Sequence, residues 1–337
     1  GFEQTRDVLS YYTLTRLSDE DLSFFDTTER IIRQCAKQLE LLNKHIRRQG
    51  KKEFDTDDRL ANLWNEYISL TESQPEDEYE GKSAEELYKL GKELYDGQGT
   101  EADYKKAFEL FSLSAEKGNG DAMYSLGNMY YLGKGVPRDY DLAIEWYTKA
   151  AEKGDAKAMN DLGFMYNYGQ GVPRDYARAF ELYTKAAENG IADSMFRLGF
   201  MYNYGKGVTQ DYERAIEWYK KAAEKGNGDA MYNLGGMYYN GEGVTQDYER
   251  AIEWYTKAAE KGNIYAMDYL GGMYYLGEGV QQDYERAFEW YKKAAEKGSI
   301  WAMDNLAKMY KNGDGVARDK QKAEEWKRKA EAARRFR

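Results

Sequence analysis

One cysteine and one histidine are all that 337 residues contain of those two types. A lone thiol cannot form an internal disulfide, and one Cys with one His cannot build a Cys/His zinc site, so the sequence implies neither a metal nor a cofactor. An unpaired cysteine also suits a reducing compartment, which makes the cytoplasm the expected location. Long apolar runs are missing too. None approaches the roughly 18 uncharged residues that a membrane span needs, and mean hydropathy is -0.89. The N-terminus GFEQTRDVLS has no basic leader and no apolar stretch of the kind that makes a signal peptide. It begins with Gly rather than Met, so the chain is expected to be a processed product or a fragment of a longer one. Basic residues are outnumbered, 49 Lys and Arg against 59 Asp and Glu, for a net charge of -10. Nucleic-acid binding draws on clustered positive charge, so a nucleic-acid partner is not expected.

Tyrosine and glycine are abundant instead, with 32 and 33 residues. Their placement is periodic. Leu90-Gly91, Leu126-Gly127, Leu162-Gly163, Leu198-Gly199, Leu234-Gly235 and Leu270-Gly271 each follow the last by 36 residues, and Leu306-Ala307 takes the seventh place. A register held over residues 84–335 marks a repeat architecture.

One unit, Ala122 to Gly154, predicts two helices. Met123, Leu126, Gly127 and Tyr130 recur at three-and-four spacing on one face of the first. Gly133 suits a left-handed cap at its end, and Gly135 continues the turn. Asp139 is placed to cap the second helix, where its carboxylate can accept from unpaired backbone N–H groups. Ala143, Trp146, Tyr147, Ala150 and Ala151 make that helix's apolar face, and Lys153-Gly154 closes it. Gly127 lies inside a helix, where glycine costs about 1 kcal/mol relative to alanine. Close approach of the two helices is the expected compensation.

The recurring A-x-x-x-L-G-x-M-Y, G-x-G-V and D-Y-x-x-A-x-x-W-Y-x-K-A-A-x-x-G resembles the Sel-one-like repeat (SLR) family, a relative of the tetratricopeptide repeats. The resemblance covers about three quarters of the chain. It implies an all-α, right-handed superhelical solenoid of seven helix-turn-helix repeats acting as a non-enzymatic adaptor or scaffold, commonly bacterial and in some members tied to envelope or host interaction. Many secreted members carry a Cys pair in each repeat, and its absence here again points to the cytoplasm. The end units depart from the pattern. The first has Glu93 where others have Met and lacks the Val after G-x-G. In the last, Lys308, Lys311, Lys320 and Lys327 replace Asn, Tyr or apolar residues, as a solvent-facing cap requires.

Residues 1–73 do not repeat. Their spacing predicts a helix from Asp26 or Thr27 to about Arg48, with Ile31, Cys35, Leu39, Leu42 and Ile46 along one face, and a second from Asp57 to about Thr71. The segment reads as an N-terminal cap, with homo-oligomerisation through its helices as the alternative. Residues 74–83 read as an acidic linker. His45 and Cys35 read as a solvent-facing side chain and a small buried hydrophobe, so no catalytic constellation emerges. The capping aspartates recur once per unit, which marks them as structural.

In helix-pair solenoids the first helices line the concave face. Positions five and two before the Leu of Leu-Gly, and two and five after it, are the expected groove-facing ones. Together with Arg197, one before its Leu, they give a candidate ligand-binding set of Tyr124, Asn128, Tyr131, Lys157, Asn160, Phe164, Asn167, Phe196, Arg197, Phe200, Asn203, Tyr232, Tyr239 and Tyr275. Asp268 and Asp304 fall in the same register. Core positions repeat their residue and these do not, and their aromatics and carboxamides suit an extended peptide. Lys157, Asn160, Asn167, Arg197 and Asn203 read as a clamp for a carboxylate. Gly236 and Gly272 are expected to leave space among Tyr232, Tyr239 and Tyr275, an aromatic pocket for a bulky side chain or flat ligand. Of the tyrosines, Tyr124, Tyr131, Tyr232, Tyr239, Tyr265, Tyr269 and Tyr275 are the functional candidates. The expected partner is a peptide or protein segment. The competing readings are a sensor region of a longer enzyme, whose effector domain precedes Gly1 and whose pocket takes a small molecule, and a purely architectural oligomer.

Overall fold

The computed structural model describes Tyr79 and residues 81–97 and 102–335; the helices expected within 1–73, with Cys35 and His45, lie outside the described residues. Fourteen helices and no strand occupy the described residues, all in one compact unit, Lys82–Arg337. They pair in series: α1 (Ala84–Asp96) with α2 (Tyr104–Glu116), α3 (Gly120–Leu132) with α4 (Tyr140–Glu152), and α5 (Ala156–Tyr168) with α6 (Tyr176–Glu188). Next come α7 (Ala192–Tyr204) with α8 (Tyr212–Glu224) and α9 (Gly228–Asn240) with α10 (Tyr248–Glu260). The last pairs are α11 (Ile264–Leu276) with α12 (Tyr284–Glu296) and α13 (Ile300–Asn312) with α14 (Lys320–Arg335). Each helix packs on its predecessor and its successor, the arrangement of an all-α solenoid.

The caps are as the sequence predicts. The Asp139 carboxylate accepts from the Leu142 N–H at 3.0 Å, and Asp175, Asp211, Asp247 and Asp283 cap their helices in the same way. The backbone N–H of Asp139 also donates to the Tyr130 carbonyl at 2.9 Å, tying the start of α4 to α3. Gly133 and Gly135 have φ of 71° and 74°. A Cβ on Gly135 would stand 2.5 Å from the Tyr104 carbonyl oxygen, so the turn of one repeat rests on the second helix of the repeat before.

The Leu-Gly pair reflects close helix approach. A Cβ on Gly127 would lie 2.5 Å from Cδ1 of Tyr147, a ring only 1% exposed on α4. Gly163, Gly199, Gly235 and Gly271 meet Tyr183, Tyr219, Tyr255 and Tyr291 in the same way. The seventh unit has Lys327, exposed, at the tyrosine position and Ala307 at the glycine position. Lys308, Lys311 and Lys320 are exposed as well, as expected of an uncovered end. On the outer side of the second helices, each tryptophan lies under a lysine ammonium, as Trp146 under Lys149 at 4.1 Å and Trp290 under Lys293 at 4.3 Å. A shallow cavity of about 530 Å³ beside Trp290 belongs to this repeated surface.

Candidate functional site

The first helices of successive repeats touch side by side and are linked by side chains from the variable positions. On α3 the Tyr124 hydroxyl donates to Asp161 of α5 at 3.0 Å. Asn160 donates to the other Asp161 oxygen at 3.0 Å and accepts from Ser194 of α7 at 2.8 Å. Burial raises the Asp161 carboxyl above its ordinary range despite these two hydrogen bonds, and burial pushes Tyr124 up to about 12. This network joins three repeats and occupies Tyr124 and Asn160, two of the candidate residues.

The position two after the Leu faces the hydroxyl of the tyrosine on the paired second helix. In the second repeat Asn128 accepts from Tyr147 at 2.9 Å. Where Phe164 and Phe200 take its place, the hydroxyls of Tyr183 and Tyr219 are buried without a hydrogen-bond partner. At Gly236 and Gly272 the nearest hydroxyls, of Tyr255 and Tyr291, are 3.8 Å and 3.7 Å from where a Cβ would stand.

The position five after the Leu acts between repeats. Tyr131 donates to Gln170 at 2.8 Å, Tyr239 to Glu278 at 2.8 Å and Tyr275 to Asp314 at 2.9 Å. Each acceptor is the middle residue of the next repeat's G-x-G turn. In the first repeat Tyr95 serves by its ring, with the Lys134 ammonium 4.9 Å from the centroid. Burial, and the acceptor carboxylate in each case, push Tyr239 and Tyr275 up to about 12. The third and fourth repeats have Asn167 and Asn203 instead, facing turns that carry Lys206 and Glu242. Neither asparagine side chain bonds to its turn.

Arg197 is the one residue of the expected carboxylate clamp set among rings. Its guanidinium carbon lies 5.7 Å from the Phe164 centroid, 5.8 Å from Tyr168 and 5.7 Å from Phe196. One N–H donates to the Tyr168 hydroxyl at 3.0 Å, and no carboxylate pairs with it among the described residues. Lys157 is exposed and Asn167 half-buried. Asn203 does not join the clamp: it is 6% exposed, and its Oδ1 is buried without a partner.

Asn203 instead lines a cleft of about 160 Å³ between α7 and α9, with Tyr204, Tyr232, Tyr239, Tyr255 and Tyr269 as aromatic walls and Gly236 and Glu242 among the other lining residues. Of the residues expected to form an aromatic pocket, Tyr232, Tyr239 and Gly236 line this cleft and Gly272 does not. Tyr275 is not part of it, because the space beside Gly272 is bounded by Trp301, 3.4 Å from where a Cβ would stand. Asp268 is likewise no groove residue. It is buried, its carboxylate accepts from the Ser299 hydroxyl at 2.7 and 2.9 Å, and burial raises its pKa to about 6. Tyr168, Tyr204, Asp161 and Glu242 are participants that the four-position register does not reach.

Seven consecutive segments, 87–119, 120–155, 156–191, 192–227, 228–263, 264–299 and 302–333, match the Sel1 repeat, and the chain belongs to that family. A solved Sel1 repeat protein from Oxalobacter formigenes is 36% identical over 74% of this chain and 100% of its own, with a TM-score of 0.67. The protective antigen c5321 of uropathogenic Escherichia coli, which displays an SLR fold, is 34% identical over 89% of this chain and 70% of that one, at a TM-score of 0.46. No curated protein matches the chain. Sel1 repeats commonly serve as protein–protein interaction scaffolds, and proteins built from them are generally non-enzymatic adaptors. Among the described residues no helix is long and apolar enough to cross a membrane.

Proposed function

We propose that this chain is a non-enzymatic adaptor that binds a peptide or protein segment across its first helices, with Arg197 holding a carboxylate of the bound segment. The carrying observation is the setting of Arg197. Most arginines at helix starts in this array pair with a carboxylate, as Arg214 with Asp211 at 3.4 Å and Arg250 with Asp247 at 3.4 Å. Arg197 is held by three rings, one of which, Tyr168, also accepts a hydrogen bond through its hydroxyl, and these orient the guanidinium and leave its charge for a ligand. Such a pre-oriented fork suits bidentate recognition of a carboxylate.

Cleft volume favours a peptide over the sensor reading. Drug-sized ligands occupy roughly 300–1,000 Å³, whereas the cleft beside Gly236 offers about 160 Å³, the scale of one side chain. The test is selection of a random twelve-residue peptide library on the immobilised chain, followed by titration of the selected peptides. Arg197→Glu is expected to weaken the peptides that carry an essential carboxylate by roughly tenfold or more, given the usual worth of a charge-assisted pair. Unchanged affinity in a folded variant would remove Arg197 from the reading, and a library that yields no binder would remove the reading itself.

A further inference from the structure

We propose that the cleft between α7 and α9 is a receptor for a cationic, planar side chain, an arginine of the bound partner. The inference deepens the adaptor reading and rests on it only for the arginine belonging to a peptide. Three features carry it.

The first is a break in the repeat pattern. Along the array a phenol at the position five after the Leu donates to an acceptor in the next turn: Tyr131 to Gln170, Tyr239 to Glu278, Tyr275 to Asp314. At the junction of the fourth and fifth repeats the acceptor remains, as Glu242, but the phenol is replaced by Asn203. The missing ring leaves the cleft, and the missing hydroxyl leaves Glu242 with only the Asn240 amide, at 3.3 Å. No basic side chain pairs with it among the described residues.

The second feature is Asn203 itself. A residue 6% exposed keeps its Oδ1 unpaired in the wall of the cleft, and a buried acceptor without a donor is costly. That oxygen has no accessible surface, so of the two acceptors at this junction it is the Glu242 carboxylate that can meet a ligand in the cleft, and a ligand that fits must carry positive charge and donate to it.

The third feature is the wall. Tyr269 contacts both Tyr232 and Tyr239, with centroids 5.9 Å apart in each case, and stacks on Tyr255 at 5.2 Å. Ring faces attract cations, and a guanidinium adds stacking that an ammonium lacks. The array already shows the preference, since Arg197 lies among Phe164, Tyr168 and Phe196. A guanidinium in the cleft would donate to Glu242, supplying what the phenol supplies at the other junctions, and the net charge of -10 favours its approach.

The probe is N-acetyl-arginine amide, titrated into the full chain carrying ¹³C-methyl methionine, with the Met237 methyl as reporter because Met237 lines the cleft. Its neutral isostere N-acetyl-citrulline amide is the control. A saturable shift at Met237 is expected at roughly millimolar concentration, as befits a single side chain. Citrulline should bind at least about tenfold more weakly, and Glu242→Gln should weaken the arginine probe by roughly threefold to tenfold. Should Glu242→Gln fail to fold by circular dichroism, Tyr269→Leu, at a ring 41% exposed, takes its place with the same expected loss. No saturable shift at Met237, equal affinity for citrulline, or unchanged affinity in the folded variant would each overturn the proposal. Because the probe has no free carboxylate, a library that yields no peptide while the chain still saturates with arginine would mark failure of the adaptor reading alone, and peptides that bind with no arginine shift at Met237 would mark failure of this one.

Discussion

Gly235 and Tyr255 touch so closely that a methyl group on the glycine would stand 2.6 Å from Cδ1 and 2.7 Å from Cε1 of the ring. In an open helix Gly→Ala gains about 1 kcal/mol. Here the ring is 1% exposed and has nowhere to move, and overpacking costs about 1–3 kcal/mol. Gly235→Ala is therefore expected to lower stability, by up to about 2 kcal/mol in urea unfolding. The seventh repeat supplies the control: with Lys327 in place of the ring, Ala307→Gly should destabilise by about 0.5–1 kcal/mol, the ordinary cost in a helix.

Equivalent tyrosines should respond oppositely to loss of the hydroxyl. Tyr147 donates to Asn128 and Tyr219 has no partner. Tyr147→Phe removes a hydrogen bond and leaves a half-buried amide oxygen, a loss of about 1–2 kcal/mol. Tyr219→Phe removes an unsatisfied buried group and is expected to be neutral or to stabilise by up to about 1 kcal/mol. Thermal unfolding of the two variants side by side reads the difference in sign.

Asn203→Tyr restores the residue type found at the flanking junctions. The new ring is expected to fill the cleft and its hydroxyl to donate to Glu242, raising stability by about 1 kcal/mol or more. The same variant should lose the arginine-probe shift at Met237. Added stability with the shift retained would mean that the ring lies elsewhere.

Asp268 makes stability depend on pH. Its folded pKa of about 6 is above the roughly 3.9 of an unfolded aspartate. The folded state thus holds the extra proton between about pH 4 and 6, so stability from this group falls as pH rises through that window. At pH 7 the buried charge costs on the order of 2 kcal/mol. Asp268→Asn keeps an acceptor for the Ser299 hydroxyl, and should raise Tm at pH 7 while changing it little at pH 4. Equal effects at the two pH values would contradict the assignment.

What recurs was readable before the structure. The period, Asp139 and its equivalents as caps, Gly133 as the left-handed cap and Gly127 as a close approach all follow from chemistry repeated in each unit. The face between repeats was only partly readable. A register counted from the Leu placed Tyr232 and Tyr239 near their roles, and Arg197 joined them as a cation near the third- and fourth-repeat asparagines rather than by its position. It skipped the ridge one before and six after the Leu, which a helix of 3.6 residues per turn lays alongside the position two after it. Tyr168, Tyr204 and Asp161 lie on that ridge. Asp268 defeated the register because its exposure depends on Ser299 of the next repeat, and Glu242 because its interest lies in the phenol that Asn203 fails to supply. Both are relations between residues more than thirty positions apart, which a single helix pattern does not encode.

The phenol links run from the first repeat to the third and resume from the fifth to the seventh. Buried apolar residues follow a similar division, one cluster from Ala107 to Leu182 and another from Ala179 to Ala330. Because stability in a solenoid is a sum of unit and junction contributions, the joint that α7 makes with its neighbours lacks the phenol contribution present at the other junctions. A partner seated across α7 would brace that joint, so that binding and rigidity rise together. On the adaptor reading proposed above, recognition is then also a splint.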